Sequence, residues 1–591
     1  MRTLGAILCT LLLSGFSAPR CWATVYQSNG SVANVQALHN LASDGDTIVL
    51  PAGTFSWTAP LNITKGITLQ GQTTISGAGT ANPTVSDATI VKDDVPRTSP
   101  IITTALTPTK SFRLTGITFA PGARTVLGST DGAFTLRSDG ASANASMRVD
   151  NCHFAQLYQA NIIQSNGWVY GVADHNFMEV RGGSHAFFMN QSTWGGGGAI
   201  NANGEWADYP WYGTEKFFFI EDNTIKMLNS TGVRAGIDTV TGGAFVVRHN
   251  YIQNCVVANH GTEGGASRGG RVCEVYDNIF NYTISAGQAG GLRSGTTLWH
   301  DNVLTGVEVN RLCSFQNFRE TPARSHPIWG IADGTSPWDA NDTEGNGTFV
   351  EGHPPFLFDS GTDTSSVNSQ GVIHDSTKNW APNRWVGYSV TNTNPNLPHR
   401  LGSYIISNTS KTITYSYYGA SDVDQHMIFN AGDTYEIHRV LVMMDQNGSG
   451  KSDLIVGTNP PINTTTGTAS WAHSSREPCY SWNNIYTPTN MILGFGANSS
   501  QSTTKPSLDY YNLGAGFPAN TTPSAVSSTY TAALNGVDYV GTFIYPHPLV
   551  TAAPTPTPSA TPRSHQHLQK KEAKKAKKLK RRKGGQKQIG E

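Results

Sequence analysis

Between residues 145 and 305, short apolar runs return at a regular interval, and each closes on an asparagine. The segments VDNCHF, ADHNFM, EDNTI, RHNYI, YDNIF and HDNVL carry Asn151, Asn176, Asn223, Asn250, Asn278 and Asn302. Their spacings are 25, 47, 27, 28 and 24 residues, and 47 is close to two turns. A period in the twenties with one short strand motif per turn predicts a solenoid. Asparagine suits the bend, since it tolerates left-handed backbone and its amides can stack from turn to turn. Alternation within each run assigns the faces. Phe218 and Ile220, Phe245 and Val247, and Cys273 and Val275 should point inward. Glu221, Arg248, Tyr276 and His300 should form an outward polar column, with about 5 Å per step. The runs favour Val, Ile and Phe over a regular leucine pattern, and no helical pattern separates them, so parallel strands are expected rather than leucine-rich repeats.

The flanks fit the same architecture. In residues 31–43 (SVANVQALHNLAS), Val32, Val35, Leu38 and Leu41 share a helical face, with Ser31 as N-cap. Strand-like GDTIVLPAGTFSW and KGITLQG follow, so the helix is expected to cap the open end of the coil. SREPCYSWNNIY repeats the Cys273–Asn278 pattern with Cys479 and Asn484, so the coil should resume after a break. That break contains RWVGYSV, SYIISN, TITYSYY and DTYEIHRV, read as a small all-β insertion. The expected fold class is all-β: a right-handed parallel β-helix with an N-terminal capping helix and an inserted small all-β domain. The expected divisions are a signal peptide (1–23), β-helix with cap (24–334), insertion (335–445), β-helix continuation (446–550), a Pro/Thr linker (551–563) and a basic disordered tail (564–591).

Composition adds a compartment. Arg2, the apolar residues 4–13 and Cys21-Trp22-Ala23 read as a cleavable export signal too short to span a bilayer. Five cysteines then remain, Cys152, Cys255, Cys273, Cys313 and Cys479, without a CxxC pair. Buried thiols are the plain expectation, and one or two disulfides stay open. The net charge of zero hides two unlike parts. Residues 24–550 hold 27 Lys/Arg against 39 Asp/Glu, while residues 551–591 hold 12 against 2. Such a tail usually reads as nucleic-acid binding, but behind an export signal the available polyanions are cell-wall polymers, lipid headgroups and acidic polysaccharides, and no nucleic-acid partner is expected.

GDTIVLPAGTFSW, KGITLQG, FRLTGITF and the D-N-x-[IF] turns together resemble the pectin-lyase-like β-helix superfamily, over roughly residues 24–330 and 445–550. The stretch VVRHNYIQNCVVANHGTE with SRGGRVCEVYDNIF resembles an exported subgroup of it. The resemblance implies an extracellular protein that deals with an extended polysaccharide. The superfamily holds lyases of pectate, alginate and related polymers, glycosidases, epimerases, phage tailspikes and adhesins. The Arg/Pro catalytic signature of pectate lyases is absent here.

The richest polar region spans residues 248–300, about two turns. Cleaving a uronan by elimination needs a cation for the carboxylate, a base for the C5 proton and an acid for the leaving oxygen. Arg271 and Arg293 suit the first role and His260 the second. The resemblance keeps Arg268 and Lys226 in view as bases. Arg248, His300 and Glu263 are candidates for substrate contact. Trp206 and Trp211, in the aromatic loop WGGGGAINANGEWADYPWYG, could wall a groove. Hydrolysis would need paired carboxylates, for which Glu263 with Glu274, or Glu221 with Asp222, are the candidates. Asp222, Asp277 and Asp301 read instead as turn formers. A calcium loop is the remaining option: Asp445, Asn447, Ser449 and Asp453 follow the early spacing of an EF-hand with Gly450 at the turn, but Val456 stands where the bidentate Glu belongs. DANDTEGNG (Asp339, Asn341, Asp342 and Glu344) is a second acidic loop. Against each site stands a plain alternative: surface arginines pair with carboxylates, and Asp/Asn-rich loops form solvated turns. A non-catalytic glycan-binding or adhesion protein remains the alternative to an enzyme.

Overall fold

A computed structural model describes residues 23–551 except 108, 129–131, 138–144, 168, 191–211, 229–231, 241, 261–268, 317–338, 342–356, 368, 387–388, 396–401, 416–427, 439, 444–446, 452–474, 477, 498–503, 505, 507–508 and 514–540. Its strands coil into three long sheets of 12, 11 and 10 strands, each sheet taking roughly every third strand in chain order. The strand pairs are parallel except where Met491–Ile492 turns back on Ile485–Tyr486. Each turn of the coil thus adds one strand to each sheet.

The first sheet shows why the sequence folds this way. Ile220, Val247, Val275 and Trp299 are register partners in successive strands, as are Phe218, Phe245, Cys273 and Thr297. All but Thr297 lie in the single apolar core that the three sheets enclose, with no exposed surface. The bend from the first to the second sheet is built from two residues. His175, Asp222, His249, Asp277, Asp301 and Asn483 adopt φ between 52° and 55°. The asparagine that follows each of them points into the bend, and its Oδ1 accepts the backbone N–H of the equivalent residue one turn earlier.

Two sequence expectations need correction here. Asn151 does not belong to this ladder. It takes the left-handed position at φ 51°, and Cys152 stands in the ladder place, its N–H donating to Asn176 Oδ1 at 3.0 Å. The strand register pairs Asp150 with Asp174, so the step is one residue shorter than the Asn-to-Asn count. Leu41 was expected on the buried face of the helix but is 65% exposed, because the helix ends there.

The helix spans Val32–Leu41, with Ser31 Oγ accepting the Asn34 N–H and Val35 entering the core. Gln36 both donates to Asn62 O and accepts Asn62 N–H, and His39 Nε2 accepts Thr64 N–H. The helix therefore pairs with the edge of Leu61–Ile63, the outermost strand of the third sheet, which would otherwise stand open.

The coil resumes as the repeat in SREPCYSWNNIY predicts. Cys479–Trp482 pairs with Thr296–His300, and Asn302 donates to Asn484 Oδ1 at 2.8 Å across 182 residues of chain. Between them, Leu357–Thr362, Val372–His374, Ser389–Asn392, Gly402–Asn408, Thr412–Tyr415 and Thr434–His438 make a six-stranded antiparallel sheet. Its apolar cluster, including Ile373, Trp385, Val390, Ile413 and Ile437, is separate from the core of the coil. The five cysteines among the described residues are buried free thiols. No helix among the described residues is long and apolar enough to cross a membrane.

Candidate functional site

The column Glu221, Arg248, Tyr276 and His300 lies in register on the outer side of the first sheet, and Trp482 continues it. It does not face solvent. Residues 541–551 return across it as a strap, a long-range contact that neither segment signals locally. Arg248 is wholly buried: Nε donates to Glu221 Oε2 at 2.6 Å, Nη1 to Phe543 O and Tyr276 Oη, and Nη2 to Ile544 O. Glu221 Oε1 accepts the His547 N–H, Asp222 accepts Tyr545 Oη–H, and Arg148 donates to Leu549 O. His300 is 4% exposed, stacked between Tyr276 and Trp482 with centroids 4.9 and 4.2 Å away, and its Nδ1 is 2.8 Å from Asp301. Arg248 and His300 are thus structural in this arrangement and not open to a polymer.

Glu274 occupies the neighbouring column, otherwise made of Val172, Phe219, Val246, Leu298 and Tyr480. Its Oε1 accepts the Gly213 N–H, while Oε2 has no hydrogen-bond partner among the described residues. Burial pushes this carboxyl up to about 7, against the smaller effects of the Gly213 N–H and Arg248. It lies on the first sheet, beside Gly213, so it cannot flank a bond lying on the third.

The open polar cluster is on the third sheet. Asp238 is the outward residue of Arg234–Val240, in register with Phe188. It is completely buried, and its Oδ1 accepts the Thr239 N–H at 2.8 Å. Two imidazoles converge on Oδ2: His260 Nδ1 at 2.7 Å and His185 Nε2 at 3.6 Å. His260 follows Cys255–Asn259 and is fixed from both sides, its N–H on Thr239 O and its carbonyl accepting the Gly270 N–H. Its side chain remains one-third exposed. His185 opens the strand His185–Asn190, and its Nδ1 is 2.7 Å from Asn161 Oδ1. Burial holds His185 below the ordinary imidazole value, Asp238 pulls it up, and His260 pushes it down. A buried carboxylate beside Nδ1 leaves Nε2 on the far side of the ring, the side from which an acid–base catalyst would act.

Arg293 reaches the same neighbourhood. It follows Leu292, the register partner of Asn259, and its N–H donates to Asn259 O. The crossing beside it needs glycine: a Cβ on Gly270 would stand 2.3 Å from Thr239 Cγ2, and Gly295 has φ +67°. Arg271 is also at this crossing but is 1% exposed. Lys226 is on the second sheet, above the Phe177 ring.

The 248–300 cluster therefore does not share one face. His260 and Arg293 belong to the third sheet, while Arg248, Glu274 and His300 belong to the first. Glu263, Arg268, Trp206, Trp211, Asp445 and Asp453 lie outside the described residues, as does the side chain of Ser449. Asn447 donates Nδ2 to Leu292 O and Gln316 O, tying its segment to the coil. Gly448, not Gly450, takes the left-handed φ, and Gly450 lies within the strand Ser449–Lys451. Among the described residues no group of three or more His, Cys, Asp and Glu side chains is placed to hold a metal ion.

Sequence reading missed Asp238 and His185. The available signal was an aspartate in the middle of the strand RAGIDTV, at a place whose register partner one turn earlier is Phe188. In sequence the chain matches no protein-family model and no curated protein.

Proposed function

We propose that this chain is an exported, right-handed parallel β-helix of the pectin-lyase-like kind that cleaves an acidic polysaccharide by β-elimination on its third sheet. In this reading Val32–Leu41 caps the coil, residues 335–445 are an inserted domain, and the superfamily supplies the polysaccharide as substrate. The observation that carries it is a half-open imidazole, His260, held by a fully buried carboxylate beside an arginine. His260 Nε2 takes the uronate C5 proton, the C4–O4 bond breaks as the C4=C5 bond forms, and the leaving oxygen takes a proton from an acid. Arg293 meets the uronate carboxylate and stabilises the charge that develops on it. Hydrolysis is less well supported, because Glu221 and Glu274 are buried on the first sheet.

Pectate, alginate and glycosaminoglycans incubated with the protein, with and without calcium, should yield unsaturated uronate ends detected by ultraviolet absorbance. His260→Gln should lower that rate roughly 10²–10⁴-fold, as loss of a general base does. Reducing ends without unsaturation would favour a hydrolase. Glycan binding with no product from the natural protein would leave the binding-only reading.

The basic tail is proposed to hold the enzyme on an anionic surface. Each Lys or Arg there contributes on the order of 1 kcal/mol at low salt, and the hold should weaken as salt rises. Ending the chain at Thr551 should abolish salt-sensitive retention on cells. Equal retention, with an equal salt response, would remove the tail from the account.

A further inference from the structure

We propose that Asp238 serves His185 and His260 by turns, holding one imidazolium at a time, so that His185 lowers the pH at which His260 takes a proton and extends the acidic range in which His260 works as a base. This rests on the reading of His260 as a base.

The geometry assigns the protons. Asn161 Nδ2 donates to Gln164 Oε1 at 2.8 Å, and Gln164 Nε2 donates to Asn166 Oδ1 at 3.1 Å. This run of amides turns Asn161 Oδ1 toward His185, so Nδ1 of His185 carries a hydrogen. Neutral His185 therefore shows Asp238 the lone pair of Nε2, and only a protonated ring can donate there. His260 Nδ1 lies 2.7 Å from the same oxygen and pairs with it when the ring is protonated. Asp238 Oδ1 is already engaged by the Thr239 N–H. Oδ2 is thus the oxygen that both rings face, and two imidazolium rings on one buried oxygen would repel each other.

Among the described residues, the groups facing His185 are few. The preceding strand presents the neutral Asn161 and Gln164, its own strand presents the Phe188 ring at 5.4 Å, and the following turns present Asp238, His260 and then Arg293. A proton on His185 draws Asp238 away from His260 and makes the imidazolium that follows C5 deprotonation less stable. His185 is in this sense a positioning residue acting through Asp238. Neither it nor Asp238 touches the polymer.

Full-length protein with isotope-labelled histidine should be titrated by NMR as the natural chain and as the His260→Gln, His185→Gln and Asp238→Asn variants. In His260→Gln the midpoint of His185 should rise by about one pH unit, and in His185→Gln that of His260 should rise equally, because coupling between two sites is reciprocal. In Asp238→Asn the His185 midpoint should fall. If each histidine titrates unchanged when the other is replaced, the shared carboxylate is not a switch. The two histidine variants decide this even if Asp238→Asn fails to fold. Where uronan cleavage is observed, His185→Gln should also move the acidic limb of kcat to higher pH, in step with the raised His260 midpoint, and an unmoved limb would overturn the role in activity. Absence of any unsaturated product from the natural chain would reject the lyase reading while leaving the NMR coupling readable.

Discussion

Replacing Arg248 with Met should destabilise the docked strap by about 3–5 kcal/mol, the range for removing one partner of a buried ion pair. Glu221 would then keep a charge with no exposed surface and lose its cation at 2.6 Å. The carbonyls of Phe543 and Ile544 would lose their donors at 2.7 and 3.0 Å. The pair Arg248→Met with Glu221→Leu should recover much of the loss, since apolar side chains can replace a buried ion pair at little net cost. The effect should be local at first. Tyr545 Oη still reaches Asp222, and Arg148 still reaches Leu549 O, so the strap would fray rather than depart at once. Hydrogen exchange at residues 541–551 and cleavage by an added protease report this directly. Unchanged exchange and cleavage in Arg248→Met would mean that the ion pair does not hold the strap.

The strap also marks a limit of sequence reading. The outward column Glu221, Arg248, Tyr276 and His300 was legible because alternation and the asparagine period both point to it, and the register matches. Its burial was not legible. It depends on a segment 295 residues farther along, and GTFIYPHPLV carries no local mark of where it lands. The turn residues were read well: Asp222, Asp277 and Asp301 take the left-handed place before each asparagine.

The third sheet resisted for a different reason. The asparagine motif fixes position only around the first bend. The chain from there to the third sheet varies in length, so Asp238, His185 and His260 fall at no common offset from Asn223, Asn176 and Asn250. Only the fold brings them onto one carboxylate oxygen. The antiparallel strands after residue 357 were visible as alternating aromatic segments, since each carries its own period of two.

The asparagine ladder yields the other large expected effect, and its size should depend on position. Asn250 accepts from the N–H and Nδ2 of Asn223, at 2.9 and 3.1 Å. Its own Nδ2 donates to Ile220 O, Arg248 O and Asn278 Oδ1. Asn250→Leu would take the side-chain acceptor from the Asn223 N–H and the amide donor from the carbonyls of Ile220 and Arg248, while Asn223 Nδ2 keeps Ala173 O and Glu221 O. At about 1–3 kcal/mol per orphaned group the loss should be on the order of 4 kcal/mol or more. Asn176 is the end member. Replacing it strands the Cys152 N–H, which has no side-chain amide beside it, and the Val149 carbonyl. The chain already tolerates a cysteine at the next place outward, where Cys152 Sγ donates to Asp150 O. Asn176→Cys should therefore cost clearly less than Asn250→Cys. Turns of a solenoid are stabilised mainly by their neighbours, so the central variant should also open the turns on either side. Denaturant unfolding with hydrogen exchange across residues 218–300 measures both quantities. Equal losses for the two cysteine variants would show that each asparagine acts alone within its own bend and that the ladder does not couple the turns.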